Sequence, residues 1–108
     1  MRRIPMLAVF AVVLLLSACN DGSRFTSESW RQADPLERHV FVNDLISRRV
    51  LIGKPRREVD MMLGSGYRQA DYSTWNIGAD PKSGQQQMLR VDFSRDVAVG
   101  VSVQRAGE

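Results

Sequence analysis

The feature that most constrains this chain is a pair of alternating runs near its C-terminal end. Leu89-Arg-Val91-Asp-Phe93 and Val97-Ala-Val99-Gly-Val101-Ser-Val103 each place apolar side chains at every second position, and only Ser94-Arg95-Asp96 separates them. Alternation with period two belongs to a strand with one buried face, and so short a connection joins antiparallel neighbours. The sequence therefore predicts a β-hairpin. Tyr72-Ser-Thr-Trp75-Asn-Ile77 supplies a further strand with Trp75 and Ile77 on one face, joined to the hairpin through loop 80–85.

Upstream the period changes. Leu36 and Val40, Phe41 and Leu45, and Val42, Ile46 and Val50 recur at spacing four, the signature of a helix with a broad apolar stripe. Asp34 as N-cap, Pro35 at the first helical position and Glu37 completing a capping box predict a helix over residues 35–49. Gly53 permits the turn that follows. A second helix is expected over residues 55–63, with Val59, Met62 and Leu63 inward and Gly64 as its stop. The expected fold class is α+β in the order ααβββ: two N-terminal helices packed on one face of a three-stranded antiparallel sheet. A chain of 108 residues holds one such domain, assigned to residues 34–108.

The first 18 residues read as a cleaved signal peptide. Arg2 and Arg3 give a positive start, residues 6–16 are apolar, and Leu16-Ser17-Ala18 ends the run in small residues. The apolar run is short for a membrane span, which needs roughly 18 to 20 residues. Cys19, the one cysteine, follows at once. Leu16-Ser17-Ala18-Cys19 resembles the lipobox of bacterial lipoproteins, in which the thiol receives a diacylglyceryl group and the chain is cut just before it. The alternative is a buried or unpaired thiol. A lone cysteine leaves no disulfide and no cysteine-ligated metal site within one chain.

Residues 20–33 are polar and Ser-rich, so residues 19–33 read as a flexible, lipidated tether. Fourteen flexible residues span roughly 20 Å. Phe25 and Trp30 interrupt that pattern and have two readings, packing back on the domain or contacting a partner. Two of the 15 Lys and Arg residues lie in the leader, leaving 13 against 12 Asp and Glu. That balance gives no footprint for nucleic acid.

Gly53, Glu58-Val59, Leu63-Gly64, Trp75 and Leu89-x-Val91-x-Phe93 together resemble the small outer-membrane lipoproteins of the SmpA/OmlA (BamE-like) type. The resemblance covers about residues 46–104 and implies the two-helix, three-stranded layout shared with β-lactamase-inhibitor-like proteins. It also implies a role in outer-membrane assembly or maintenance. Three features depart from the family pattern: Pro55 where a Ser or Thr cap is usual, Ser94-Arg95-Asp96 in place of Asp-Gly or Asn-Gly at the last turn, and a longer first helix.

Few residues offer chemistry. His39 is the one histidine and reads as a surface residue, and no serine stands in a nucleophile-elbow pattern. Gly64-Ser65-Gly66 follows a helix where a phosphate loop precedes one. No catalytic, cofactor or metal site is therefore expected, and no small-molecule substrate. The residues left for interaction are Arg48, Arg49, Lys54, Arg56 and Arg57, with Tyr67 and Tyr72 near loops. The basic cluster is either a solvated corner or a surface for an anionic partner or lipid headgroups. Lys54, Arg56 and Arg57 oppose the field at a helix N-terminus. Trp75 reads as core or as part of an aromatic patch.

The expectation is a non-enzymatic, lipid-anchored bacterial envelope protein that binds another envelope protein. The alternative is an inhibitor or regulator of a periplasmic enzyme acting through loop 80–85. Asn20 after the cysteine, with Asp21 displaced by one from the position of an inner-membrane retention signal, favours the outer membrane facing the periplasm.

Overall fold

The computed structural model describes residues 23–105. The leader and Cys19 lie outside them. The elements are α1 (Ser27–Gln32), a 3-10 helix (Pro35–Phe41), α2 (Val42–Ser47), α3 (Arg56–Leu63), β1 (Tyr67–Arg68), β2 (Tyr72–Ala79), β3 (Gln86–Ser94) and β4 (Val97–Arg105). The strands form one antiparallel sheet in the order β1-β2-β3-β4. The fold is α+β, but the sheet has four strands where three were expected. The additional strand is the two-residue β1, which pairs Tyr67 with Thr74 and Arg68 with Ser73. Two residues are too few for any period to register.

The hairpin closes as expected. Ser94 pairs with Val97, so the turn is Arg95-Asp96, and both residues have positive φ, 53° and 63°. That is the geometry of a type I′ turn, usually given to Asn-Gly. On the sheet's inner face lie Trp75 and Ile77 of β2, Leu89, Val91 and Phe93 of β3, and Ala98 of β4; Leu45, Leu51, Val59 and Leu63 complete the core from the helical side. The outer face is polar. There the Arg90 guanidinium lies 3.9 Å from the Tyr72 ring centre and bonds Asp92 at 2.9 Å.

The helix expected over residues 35–49 is instead a seven-residue 3-10 helix followed by the six-residue α2. Asp34 caps it as expected, accepting from the Leu36 N–H at 2.9 Å. The tighter winding reflects what faces the sheet. Gly78, at φ +94° beside a bulge in β2, lies so close to the 3-10 helix that a Cβ there would stand 1.8 Å from the Leu36 carbonyl oxygen. Backbone meets backbone at that point, and Leu36 and Val40 stay exposed. A spacing of four serves side chains that enter a core; these two do not.

The described part of the expected tether is packed into the domain. Thr26 and Ser29 form a reciprocal capping box at the start of α1. Phe25 just before the cap and Trp30 in the first turn after it meet edge to face, with ring centres 5.9 Å apart, the arrangement of a hydrophobic staple. Both side chains are buried, so packing back on the domain is the reading the structure bears out. The indole N–H of Trp30 donates to the Leu63 carbonyl and that of Trp75 to the Gly64 carbonyl, each at 2.9 Å. Two tryptophans thereby satisfy carbonyls that the end of α3 leaves open.

Candidate interaction surfaces

Folding splits the basic cluster. Arg48 turns back along α2 to Asp44, with Nη2 to Oδ2 at 2.6 Å, and donates to the Phe25 carbonyl at 2.9 Å. Hydrogen bonds from the Arg48 guanidinium and from the Phe25 N–H hold the Asp44 carboxyl down at about 2. Arg48 is thus a clamp on the start of the described chain.

Arg56 is not a surface residue at all. It is 4% exposed, and its guanidinium donates to the carbonyls of Gln69, Ala70 and Tyr72 at 2.5 to 2.9 Å and to the Ser73 hydroxyl at 3.0 Å. The same plane lies 4.5 Å from the Phe93 ring centre. The turn between β1 and β2 supplies acceptors for both terminal nitrogens, and the aromatic face adds to them; the Nε donor is left without a partner among the described residues. Placing Arg56 among interaction residues is corrected on this geometry.

Arg48, though tied to Asp44, is itself exposed, and with it at the surface are Arg49 and Arg57, both exposed, and Lys54, half-buried. Arg49 and Val99 line a groove of about 210 Å³ between α2 and β4. Lys54 accepts from the Ala98 N–H through its carbonyl at 2.9 Å. Arg57 lines a cleft of about 420 Å³ with Asp60, Arg68 and Asp96. Arg49 and Lys54 thus adjoin β4, whereas Arg57 lies toward the β3–β4 turn and β1, an arrangement that sequence spacing could not reveal.

Of the two tyrosines, Tyr67 is 67% exposed on β1, whereas Tyr72 is half-buried beneath Arg90. They are separated by the β1–β2 turn, and the register of Tyr67 with Thr74 puts both on the outer face of the sheet. His39 is half-buried rather than at the surface, and its Nδ1 has no hydrogen-bond partner among the described residues. No group of three or more His, Cys, Asp and Glu among the described residues is placed to hold a metal ion. No described helix is long and apolar enough to cross a membrane. Loop 80–85 is closed on Asp80, whose carboxylate accepts from the Lys82 N–H at 3.0 Å and the Ser83 hydroxyl at 3.2 Å. Those bonds lower the Asp80 pKa, the one from Lys82 most.

Sequence reasoning missed the edge of β4 as a feature. Its apolar residues were legible in the alternating valines of Val97 to Val103, but not that they stand at an edge. Comparison with family models, with curated proteins and with solved structures finds no match to this chain.

Proposed function

We propose that this protein is a bacterial envelope lipoprotein, anchored through acylated Cys19, whose domain is a non-catalytic protein-interaction module of the SmpA/OmlA type. Its role is that of an accessory in outer-membrane assembly or maintenance. The observation that carries the reading is Leu16-Ser17-Ala18-Cys19 at the end of an apolar leader, with no second cysteine to give the thiol other work. Several acyl chains, each CH₂ contributing about 0.8 kcal/mol when buried, make a firm anchor. Asn20 after the cysteine supports an outer-membrane address. The interaction role draws support from exposed apolar side chains grouped beside an open strand edge, the kind of surface that partners cover.

The test is metabolic labelling with an alkyne fatty acid, followed by fractionation, for the native chain and Cys19→Ala. The native chain is expected to carry label and sediment with outer membranes, and the variant to lose both label and processing. A variant that still matures and stays with the membrane overturns the anchor.

A further inference from the structure

Strand β4 ends the sheet, and its outer edge is only partly covered. Residues 53–56 run along its beginning: the Gly53 N–H donates to the Ala98 carbonyl and the Arg56 N–H to the Asp96 carbonyl, at 2.9 and 2.8 Å, and Pro55 bridges Val97. Among the described residues no strand pairs with that edge past Ala98. The opposite edge of the sheet is the two-residue β1, too short to serve as a template, and past it β2, which the backbone of the 3-10 helix meets at Gly78.

Edges of this length are usually guarded by lysine, proline or a bulge. The one bulge in β4 falls at Val99, next to the covered part. Beyond it, Gly100 to Gln104 stay in regular register with Asp92 to Met88 and include no charge and no proline. Beside them Val99 is 56% exposed and Val103 41%, and the groove between α2 and β4 is lined by Ile46, Ile52, Val99 and Val101 with Arg49 at its rim.

We propose that the open edge of β4 is a strand-addition site for an extended segment of another protein, apolar at alternate residues and acidic where it passes Arg49 and Lys54. Backbone hydrogen bonds along residues 99–104 provide the pairing, and alternate side chains enter the groove. Charge selects the occupant. Arg49 lines the groove beside the edge, and Lys54 is bonded through its carbonyl to Ala98 where the open part begins, whereas Asp44 is already engaged by Arg48. A second copy fits poorly, because antiparallel self-pairing over residues 99–105 sets Arg105 of one copy beside Val99 and Arg49 of the other. The proposal rests on the interaction-module reading but not on the anchor: peptide binding tests the one and acyl labelling the other.

The probe is a synthetic peptide of alternating Val and Thr with Glu at both ends, and a twin with Lys at both ends, titrated into the full-length protein. The Glu peptide is expected to bind at least about tenfold more tightly and to slow amide hydrogen exchange along residues 99–104. Arg49→Glu should reverse the preference. Val99→Lys, at an exposed position, should weaken binding by about tenfold while leaving the melting curve in place. Equal binding of the two peptides, binding of neither, protection mapping elsewhere, or a free protein that is already dimeric through β4 would each overturn the proposal.

Discussion

The Arg56 guanidinium gathers the carbonyls of Gln69, Ala70 and Tyr72 into one set of acceptors, and the Ser73 hydroxyl points into the same space from the core face of β2. Taking the guanidinium away leaves the buried Ser73 hydroxyl and three part-buried carbonyls without their donor, at about 1 to 3 kcal/mol for a fully buried group and less where water reaches it. Arg56→Met is therefore expected to cost about 2 to 3 kcal/mol, and Arg56→Lys should recover only part, since an ammonium is a point charge without the planar fork. Arg57→Met, at an exposed neighbour, should stay within about 0.5 kcal/mol. Urea midpoints of the three variants check this, and equal losses at 56 and 57 would refute it. The distinction was not legible in the sequence: two adjacent arginines open the same helix, and the acceptors arrive from 13 to 17 residues downstream. Asp44 gives the pH counterpart. Its folded pKa, about 2, lies below the ordinary carboxylate value near 4. The unfolded chain therefore binds the proton first, so the stabilisation is complete above about pH 4 and is lost as pH falls toward about 2. Asp44→Asn should lower the urea midpoint at about pH 6 and converge on the native chain at about pH 2. A gap that stays constant with pH would count against the assignment.

At the scale of elements, what was legible followed the length of the pattern. Strands β3 and β4 alternate for five and seven residues in the sequence, and both appear in the expected hairpin. The helix α3 has Val59 and Leu63 inward and Gly64 as its stop, as read. The misses are short. A six-residue helix such as α1 shows less than two turns of periodicity, yet its cap was written out: Phe25, Thr26, Ser29 and Trp30 occupy the positions of a staple around a capping box. Composition alone made that stretch look like a tether. The 3-10 helix failed for a different reason. Leu36 and Val40 matched a spacing of four, but the segment meets the sheet through the Leu36 carbonyl over Gly78, a contact that leaves no trace in side-chain pattern. The candidate surface was half legible in the same sense: its cations and its valines could each be read, but not that Lys54 and Ala98 share a hydrogen bond that sets them side by side.

For the whole molecule, α1 bears on how far the domain would stand from a membrane under the proposed anchor at Cys19. A flexible tether of fourteen residues would let the domain stand roughly 20 Å away. Ser23, however, is already fixed, its N–H bonded to the Val40 carbonyl at 3.0 Å, and Phe25 is held on both sides by Asp44 and Arg48. From Cys19 to Ser23 there are four residues, at most about 14 Å of extended chain. The proposed acyl anchor on Cys19 would then keep the side of the domain that carries Ser23, Arg24 and Val40 close to the headgroups. A fluorophore on Arg24→Cys in the reconstituted lipoprotein should be quenched strongly by headgroup-attached acceptors. Inserting about ten Gly and Ser residues between Asn20 and Asp21 restores a flexible span of about 20 Å and should relieve much of that quenching. If quenching is weak in the native chain, or unchanged by the insertion, the domain is not held close, and a short link to a lipid on Cys19 is the wrong picture of how this protein meets its membrane.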